Sequence, residues 1–167
     1  MSSESSRGRQ IAVASGDFRR VCGRYASGVT VVTTVDAGAK PHGLTVSSFT
    51  SVSLTPPLVL VCVGHSASTL AQFHEAKYFG INILADFQQA ISDRFARKAG
   101  DRFDGFEWRP GSTGVPLLDG VLGSLECGVH QIVPMGDHDI LVGEVLAIQV
   151  HTGKPLIHFS GEYRTLA

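Results

Sequence analysis

The feature that most constrains the fold is a series of β-branched and apolar runs separated by turn residues. The first of them, Val29–Val35, is Val-Thr-Val-Val-Thr-Thr-Val, and β-branched side chains favour a pleated strand. Only two or three short helical patterns lie among six or seven such runs. Strands and helices therefore do not alternate, which argues against a parallel Rossmann sheet. The pattern predicts a mainly β fold with a mostly antiparallel, closed sheet.

Apolar runs bounded by turn residues predict the other strands. They are Leu44–Val52, Leu58–Val63, Tyr78–Leu84, Leu122–Val133, Asp139–Val150 and Leu156–Phe159. The continuous apolar run Leu58–Val63, which follows two prolines, indicates a strand buried on both faces. Turns are predicted at Asp36–Gly38 and at Pro134–Asp137, so that the two longest strands form a hairpin.

Three segments have the pattern of short helices. They are Phe18–Tyr25 capped by Asp17, a helix that Ser66 or Ser68 caps and that ends near Lys77, and Phe87 to about Lys98 capped by Asp86. The polar, glycine-rich segment Gly100–Pro116 is predicted to be an ordered loop. Met1–Gly16 is rich in Ser and Arg and lacks the apolar stretch of a signal peptide, so we expect a disordered tail followed by one domain over residues 17–167.

Composition limits the classes of partner. Charged residues make up only 17% of the chain against 43% hydrophobic residues, whereas roughly 25% charged is usual. This deficit indicates extra surface buried in an oligomer. A net charge of -1 gives no electrostatic case for nucleic acid, and no apolar run reaches the roughly 18 residues of a membrane span. Cys22, Cys62 and Cys127 suit neither a disulfide framework nor a metal site, and we expect a cytoplasmic protein.

A hydroxyl-rich segment from Thr45 to Thr55 lies largely within the second predicted strand. In a continuous strand, Thr45 and Ser47 share one face. Buried hydroxyls need hydrogen-bond partners, and a ribityl chain or a phosphate would supply them. A solvated strand face is the alternative interpretation.

A second hydroxyl-rich segment, His65–Thr69, lies between an apolar strand and a predicted helix. Backbone N–H groups and hydroxyls at such a turn bind phosphate well. Ordinary capping of the helix by Ser66 or Ser68 is the alternative.

Four further features each allow a functional and a structural interpretation. Arg94 can pair with a phosphate or remain a solvated helical charge. Asn82, inside an apolar strand, can contact a ligand or satisfy the core. His138 lies between two acids, either in a surface turn with an ion pair or at a site. The segment Pro155–Arg164 can form a flat slot for a planar ring or an ordinary last strand.

Taken together, these segments resemble the short-chain flavin reductase family, the reductase components of two-component flavin-dependent monooxygenases. The matching segments, in the family's order, are Ala26–Thr34, Gly43–Phe49, Ser51–Leu60, Asn82–Leu84, Gly136–His138, Gly143–Val145 and Pro155–Tyr163. The resemblance implies an antiparallel, Greek-key, FMN-binding split β-barrel. It also implies a homodimer with the flavin near the subunit interface.

The resemblance also implies which residues bind the cofactors. Those that would line the flavin are Pro41, His42, Gly43, Leu44, Thr45, Ser47 and Ser48. Those on its phosphate side are Cys62, Val63, Gly64, Ser68 and Thr69, with further contacts from Asn82, Arg94 and Phe95. His138 would be the catalytic contact to the nicotinamide, without acting as a proton donor. His158, Phe159, Ser160, Gly161 and Tyr163 complete that part of the site.

The implied reaction is hydride transfer from NADH or NADPH to FMN or FAD, which supplies reduced flavin to a partner monooxygenase. Many relatives carry Arg where this chain has Ser160, a departure that concerns nicotinamide recognition. Two alternatives remain: a tightly flavin-bound oxidase of the same barrel, and a non-catalytic flavin or haem carrier.

Overall fold

The computed structural model describes residues 13–97 and 100–166. Its strands are β1 (Ser27–Gly28), β2 (Thr30–Val35), β3 (Pro41–Val46), β4 (Thr50–Leu54), β5 (Pro57–Gly64), β6 (Tyr78–Ile83), β7 (Trp108–Pro110), β8 (Pro116–Leu118), β9 (Gly123–Met135), β10 (His138–Val150), β11 (Ile157–Phe159) and β12 (Glu162–Arg164). Its helices are α1 (Ser15–Cys22), α2 (Leu70–Glu75) and α3 (Gln89–Ala96). None of the helices in these ranges is long and apolar enough to cross a bilayer.

Seven strands form one antiparallel sheet in the order β3-β2-β6-β9-β10-β5-β4. Its centre is the hairpin of β9 and β10, two strands of 13 residues each. A second sheet joins β1, β11 and β12, and β7 pairs with β8. The prediction of a mainly β, antiparallel fold with a few short helices is confirmed, and so is the long hairpin.

Two clusters of buried apolar side chains hold the sheets and helices together. The larger cluster lies on the inner face of the seven-stranded sheet and includes Val32, Val61, Phe79, Ile81 and Leu141. The smaller cluster joins α3 to the C-terminal segment and includes Val31, Leu84, Phe95, Phe103 and Leu156. Full burial of such side chains contributes about 1.5–3 kcal/mol each. The smaller cluster therefore fixes α3, and the segment after it, against β2.

The predicted strand Leu44–Val52 is wrong, because the structure contains two strands there, β3 and β4. The first pairs with β2 and the second with β5. Ser48 causes the break: its Oγ accepts the N–H of Cys62 at 2.8 Å and donates to the Cys62 carbonyl at 3.3 Å. This side chain takes the place of a ladder hydrogen bond. Thr45 and Ser47 therefore do not share a strand face, and Ser47 is exposed.

Strand β5 is not buried on both faces, so that prediction is also wrong. Val59, Val61 and Val63 point into the core and are 5%, 0% and 1% exposed. The alternate residues Leu58, Leu60 and Cys62 are only half-buried. This alternation is usual for an antiparallel sheet with one face on the core.

The helices differ from the predictions at their ends. α1 begins at Ser15, so part of the predicted tail is helical, and Asp17 lies in its first turn, paired with Arg20 at 3.0 Å. The helix ends at Cys22, before the predicted Tyr25. The rest of the predicted tail, residues 1–12, lies outside the described residues.

α2 is shorter than predicted, and neither Ser66 nor Ser68 caps it. Its N-cap residue is Thr69, without a side-chain capping bond. Its end precedes Lys77 because the Lys77 carbonyl accepts the N–H of Val129 at 3.0 Å, at the start of β6.

The third helix is preceded by a 3-10 turn at Asp86–Gln88, and Asp86 is not its cap. Instead, Gln88 accepts the N–H of Ala85 at 3.0 Å and donates to the Asp119 carbonyl at 2.8 Å. α3 ends at Ala96, and Lys98, the predicted end, lies outside the described residues.

The segment predicted as a loop, Gly100–Pro116, contains β7 and the first residue of β8. The turn between these strands wraps the carboxylate of Glu126 on β9, which is 4% exposed. This carboxylate accepts the N–H and the hydroxyl of Ser112, both at 3.0 Å, and those of Thr113, both at 2.7 Å. We call this arrangement the Glu126 cradle. A Cβ at Gly111 would come within 2.5 Å of the carboxylate, so glycine is needed there.

The cradle determines the ionisation of two neighbouring groups. Burial, the largest influence, raises the pKa of Glu126, but the hydrogen bonds together hold it below its ordinary value. Burial and the charge of Glu126 raise the pKa of the Cys127 thiol to about 12. Glu126 is therefore ionised at neutral pH, and Cys127 is an unreactive thiol.

Strands β11 and β12 form a hairpin, of which the sequence predicts only the first strand. β11 pairs with both β1 and β12. The turn is formed by Ser160 and Gly161, with φ of 53° and 83°. Positive φ at both central residues is the conformation of a two-residue type I′ hairpin.

Candidate functional site

A pocket of about 270 Å³ lies where three segments of the chain meet. The start of β3 and the residue before it supply one wall, the residues around the start of α2 supply a second, and the segment after α3 supplies the third. The lining residues are Lys40, Pro41, His42, Gly43, Ser68, Thr69, Gln72, Gly100, Asp101, Arg102 and Phe103.

Two polar atoms of the second wall lack hydrogen-bond partners. They are Thr69 Oγ1 and Gln72 Oε1, both buried and both unpaired among the residues that the structure describes. Thr69 is 5% exposed. An unsatisfied buried polar group costs about 1–3 kcal/mol. A hydroxyl left in this state at the wall of a pocket indicates a place for a polar ligand.

Arg102 joins all three walls of the pocket. Its guanidinium donates to the Gly43 carbonyl at 2.6 Å, to Ser68 Oγ at 2.9 Å and to the Arg97 carbonyl at 2.9 Å. Partial burial lowers the pKa of Arg102, but an arginine stays charged at neutral pH. Because its partners are carbonyls and a hydroxyl, its positive charge is not neutralised by them.

The first wall is held by Asp36, at the end of β2. Its carboxylate accepts the N–H groups of Gly38 and Lys40, each at 2.9 Å, and His42 Nε2 donates to it at 2.9 Å. The hydrogen bond from His42, followed by that from Lys40, lowers the pKa of Asp36. The turn predicted at Asp36–Gly38 is confirmed, and it fixes the backbone of Lys40.

The ring of Phe95, on α3, lies against the backbone of Gly43, behind the first wall of the pocket. A Cβ at Gly43 would lie 2.8 Å from this ring, so glycine lets β3 pass close to it. Phe95 is 1% exposed and packs edge-on against Phe103, with ring centroids 4.8 Å apart. Phe95 therefore supports this wall from behind.

The walls together suit an anion. Lys40 and Arg102 supply positive charge, while Thr69 and Ser68 supply hydroxyls. Hydrogen bonds to charged groups contribute roughly 1.5–3 kcal/mol each. Asp101 is the acidic member of the lining. The arrangement can bind a phosphate group by charge and by hydrogen bonds.

The structure brings several predicted residues together. Pro41, His42 and Gly43 face Ser68 and Thr69 across this pocket. Two further predicted pairs lie nearer the β9–β10 turn. Ser48 is bonded to the Cys62 backbone, and Gly64 pairs in register with His138.

Four predicted site residues have their side chains engaged within the protein. The Thr45 hydroxyl donates to the Ser92 carbonyl at 2.7 Å. Leu44 packs against the larger core cluster, and Val63 belongs to it. Asn82 is 0% exposed: its amide nitrogen donates to the Val31 carbonyl at 3.1 Å and its oxygen accepts the Leu118 N–H at 2.8 Å. The core interpretation of Asn82 is therefore correct.

Arg94 does not line the pocket. It donates to the carbonyls of Asp101 and Asp104 at 3.1 and 3.3 Å, and its guanidinium lies 5.5 Å from the centre of the Phe106 ring. Arg94 therefore holds the segment that carries Arg102. Arg102, and not Arg94, is the arginine that lines the pocket.

His138 and the C-terminal hairpin lie at opposite ends of β10. His138 begins this strand, and its Nδ1 is 2.7 Å from Asp137 Oδ1. Leu156, just before β11, bonds to Leu84 next to the other end of the sheet. Thirteen extended residues at about 3.3 Å each span roughly 40 Å.

The C-terminal candidates form a small cluster of their own. The rings of His158 and Tyr163 lie 6.0 Å apart, and the Tyr163 hydroxyl is 2.7 Å from Ser92 Oγ. Burial, opposed by the bond to Ser92, raises the pKa of Tyr163. Phe159 is half-buried beside them, while Ser160 and Gly161 form the exposed turn. Ser92 thus connects the Thr45 strand to this hairpin.

Comparison with protein families decides the class of the molecule. A family described as "Flavin reductase like domain" matches residues 22–167. The chain belongs to this family. The resemblance found from sequence segments is confirmed.

Individual relatives agree with this assignment. The chain is 44% identical over 148 residues to a "Probable flavin reductase" of Rhizobium meliloti (strain 1021), covering 89% of this chain but only 48% of that protein. It is 35% identical over 147 residues to the "Flavin-dependent monooxygenase, reductase subunit HsaB" of Rhodococcus jostii (strain RHA1), covering 87% and 75%.

A solved structure gives the same result. The chain matches the "Streptomyces globisporus C-1027 NADH:FAD oxidoreductase SgcE6 in complex with NAD and FAD fragments" with a TM-score of 0.87 and 37% identity, covering 91% and 92%. At this similarity the two chains share a fold.

The pocket fits the phosphate end of the flavin that the name of this family implies. The Thr69 hydroxyl is buried, unpartnered and beside two cations, which is what a phosphate oxygen requires. A volume of about 270 Å³ is small for a whole cofactor, since ligand pockets span roughly 300–1,000 Å³. Only part of a flavin would lie in this pocket.

Six lining residues were not predicted from the sequence: Lys40, Gln72, Gly100, Asp101, Arg102 and Phe103. Lys40 and Gln72 lie beside predicted positions but show no pattern of their own. Arg102 lies in a polar, glycine-rich segment where an arginine looks like a solvated charge. Its role becomes visible only in the structure, where Gly43 and Ser68 lie close enough for Arg102 to donate to both.

A cluster centred on Asp139 was not predicted either. His65 Nε2 lies 2.9 Å from Asp139 Oδ1, and His74 Nε2 lies 2.6 Å from Oδ2. In the described ranges, no three such side chains are arranged to hold a metal ion. These residues are far apart in sequence, and no local pattern connects them.

Proposed function

We propose that this chain is an NAD(P)H-dependent flavin reductase, which transfers hydride from NADH or NADPH to FMN or FAD and supplies reduced flavin to a partner monooxygenase. The observation that carries the proposal is the buried, unpartnered Thr69 hydroxyl in a cationic pocket. Membership of the flavin reductase-like family supports it. The name of the HsaB relative supports the monooxygenase partner.

The pocket residues have different roles in binding the phosphate. Lys40 and Arg102 contribute charge, and Thr69 and Ser68 contribute hydrogen bonds. Gly43 lets β3 pass close to the Phe95 ring. When bound, a flavin accepts two electrons and a proton from reduced nicotinamide as a hydride. The protein then needs to supply only orientation and electrostatic complementarity.

The Ser48–Cys62 pair and the Gly64–His138 pair extend from the pocket toward the β9–β10 turn. We assign the flavin ring to this direction and the nicotinamide contact to His138. His138 is half-exposed and paired with Asp137, so its ring is oriented and accessible. It contacts the nicotinamide and moves no proton.

A homodimer completes this arrangement. His138 and the His158–Tyr163 hairpin lie at opposite ends of β10, and a second copy can bring one protomer's hairpin to its partner's His138. Apolar side chains at the end of β10 support an interface: Leu146, Ile148 and Val150 are 52%, 65% and 79% exposed. Ile148 and Val150 line an apolar groove of about 270 Å³. Such patches are typical of protein–protein contacts. The three free thiols suit a cytoplasmic location.

The decisive experiment measures loss of reduced-nicotinamide absorbance with FMN, with FAD and without flavin, for NADH and NADPH in turn. We expect flavin-dependent oxidation. Thr69→Val should weaken FMN binding about tenfold, since a hydrogen bond to a charged group is lost. Thr152→Val, an exposed threonine between β10 and β11, is the matched control and should bind as the wild type does.

Other outcomes would support the alternatives. A purified protein that retains flavin but does not oxidise NADH or NADPH would favour an oxidase of the same fold. Bound flavin without turnover on any substrate would favour a carrier. Equal FMN affinity of the wild type and Thr69→Val would remove the pocket from the proposal.

The nicotinamide contact has its own test. His138→Ala should raise the KM for the nicotinamide more than it lowers flavin affinity, because the side chain lies outside the phosphate pocket. Stopped-flow measurements of nicotinamide binding separate the two effects. Unchanged binding would contradict the assignment.

A further inference from the structure

A buried carboxylate outside the pocket is attached to the wall that carries Thr69. Asp139, the second residue of β10, has a side chain that is only 6% exposed, whereas His65 and His74 are 45% and 49% exposed. Each imidazole donates from Nε2 to a different oxygen of this carboxylate, at 2.9 and 2.6 Å. The hydrogen bond from His65, followed by that from His74, lowers the pKa of Asp139. Asp139 is therefore an anion that accepts two hydrogen bonds.

Both imidazoles belong to one segment of the chain, residues 65–75, which runs from the end of β5 through α2. The same segment supplies Ser68, Thr69 and Gln72 to the pocket. We call it the 65–75 wall. Its position at the pocket decides whether the Thr69 hydroxyl and the Gln72 oxygen face the ligand.

Few other bonds hold this wall. The N–H of His65 donates to the Asp137 carbonyl at 2.9 Å, and Arg102 donates to Ser68 Oγ at 2.9 Å. Phe73, 1% exposed, anchors α2 in the core. The helix has only six residues, and so short a helix has little stability of its own. Ala67 and Leu70 also pack against the larger core cluster, and the attachment of His65 and His74 to one carboxylate adds polar contacts at both ends of the segment.

Asp139 itself is rigidly placed. It lies in register with Val63 on β5 and Pro134 on β9, near the start of β10, a strand that is paired on both sides. A carboxylate on a strand that is paired on both sides holds its hydrogen-bond partners in a more fixed position than a carboxylate on a loop does.

We propose that Asp139 is a positioning residue for the flavin phosphate: through His65 and His74 it holds the 65–75 wall so that Thr69 and Gln72 face the pocket. It touches neither flavin nor nicotinamide. This inference rests on the proposed function and deepens it, because it names the residue that organises one wall of the proposed flavin site.

The test uses His74, the more exposed of the two imidazoles, whose loss should not prevent folding. His74→Ala should weaken FMN binding about tenfold, since one charge-assisted hydrogen bond is lost. In steady-state kinetics the loss should appear in the KM for flavin rather than in kcat. His74→Gln should restore affinity, because a glutamine amide can donate to the same carboxylate oxygen. His151→Ala, an exposed histidine at the other end of β10, is the matched control.

A double-mutant cycle separates positioning from general destabilisation. If both residues act through one contact, Asp139→Ala combined with His74→Ala should bind FMN no more weakly than Asp139→Ala alone. Additive losses would overturn the proposal. Equal FMN affinity of His74→Ala and the wild type would also overturn it.

A measurement without flavin keeps the two proposals distinguishable. Amide hydrogen exchange of the flavin-free protein should become faster in His74→Ala at residues 66–75 and remain unchanged in β9 and β6. Unchanged exchange in the 65–75 wall would contradict the positioning role. A wild type that exchanges as expected but binds neither FMN nor FAD would contradict the proposed function instead.

Discussion

The carboxylate of Glu126 and the hydroxyl of Thr69 belong to residues that are almost equally buried, at 4% and 5% exposure, yet their surroundings differ. Glu126 accepts four hydrogen bonds from Ser112 and Thr113. Thr69 Oγ1 has no partner in the described part of the chain, and it lies beside Lys40 and Arg102 at an open pocket. The first group is satisfied by the protein, while the second has no partner among the described residues.

This difference separates stability from binding. A buried charge with all its donors in place stabilises the fold, whereas an unsatisfied hydroxyl lowers stability until a ligand supplies the partner. We therefore expect substitutions in the Glu126 cradle to affect unfolding and substitutions in the pocket to affect flavin affinity.

The largest effect is expected for Glu126→Ala. It removes four hydrogen bonds and leaves two N–H groups and two hydroxyls without their acceptor. Hydrogen bonds to a charged group contribute about 1.5–3 kcal/mol each, and the hydroxyls can turn to water. The free energy of unfolding should fall by at least about 3 kcal/mol, measured by urea denaturation.

Glu126→Gln is the control for shape. It keeps one acceptor oxygen and should lose less stability than Glu126→Ala. Flavin affinity of the folded fraction should match the wild type in both variants. A loss of flavin affinity comparable to that of Thr69→Val would contradict the separation of the two clusters.

Acid pH should weaken the cradle. The pKa of Glu126 is lower in the folded protein than its ordinary 4.5, because the hydrogen bonds outweigh the effect of burial. Its stabilisation is therefore complete above about pH 4.5 and is lost as the pH falls through the lowered folded-state pKa. The unfolding free energy of Glu126→Gln should fall less steeply with acidification below that pH than that of the wild type.

Three aspartates have lowered pKa values as well and remain in this variant. They are Asp36, Asp137 and Asp139, each hydrogen-bonded to histidine. The acid dependence should therefore be reduced and not abolished. Identical slopes for Glu126→Gln and the wild type would show that the cradle carboxylate does not titrate on unfolding.

A smaller effect, with opposite signs at two threonines, tests the distinction directly. Thr33 is fully buried and donates to the Pro116 carbonyl at 2.6 Å, whereas the Thr69 hydroxyl is unpaired. Thr33→Val should lower the unfolding free energy by about 1 kcal/mol or more, while Thr69→Val should raise it by about 1 kcal/mol. Both are measured by urea denaturation without flavin.

Excess FMN should reverse the second result, because the wild type gains more stability from the ligand than Thr69→Val does. If Thr69→Val lowers stability without flavin as Thr33→Val does, the Thr69 hydroxyl has a protein partner and the pocket argument fails.

The strands could be predicted because burial leaves a local pattern. The β-branched run at β2 and the alternating pair β9 and β10 are readable from neighbouring residues alone. The break at Ser47–Phe49 was not predictable, since it depends on Ser48 reaching Cys62 on another strand. The helix ends failed for a similar reason, because Gln88 rather than Asp86 makes the capping contact.

The candidate site was half predictable. Gly43 lies in a segment that resembles the family, Ser68 and Thr69 lie in the hydroxyl-rich turn before α2, and the three residues line the same pocket. Arg102 and Asp139 contact residues that are tens of positions away in the sequence. The residues next to them in the sequence therefore show no pattern that predicts these contacts. Glu126 did leave a trace: a carboxylate within a strand of buried residues needs partners, and Ser112 and Thr113 are suitable donors.

The smallest expected effect concerns Arg94, and it decides whether this residue acts directly or through the loop. Among the described residues, its guanidinium donates to the Asp101 and Asp104 carbonyls and lies over the Phe106 ring. Arg94→Ala should therefore weaken FMN binding by about threefold, the size of an exposed charge contact. The salt dependence of FMN binding should stay as in the wild type, because no phosphate contact is lost.

Arg102→Met is the comparison that gives this result its meaning. It removes a cation from the pocket lining, so FMN binding should weaken more and depend less on ionic strength. Titrations of both variants at low and high salt measure the difference. If Arg94→Ala also reduces the salt dependence, Arg94 contacts the phosphate itself. The anion site would then extend beyond the pocket to α3. Arg94 would be a phosphate-binding residue and not a residue that only holds the segment carrying Arg102.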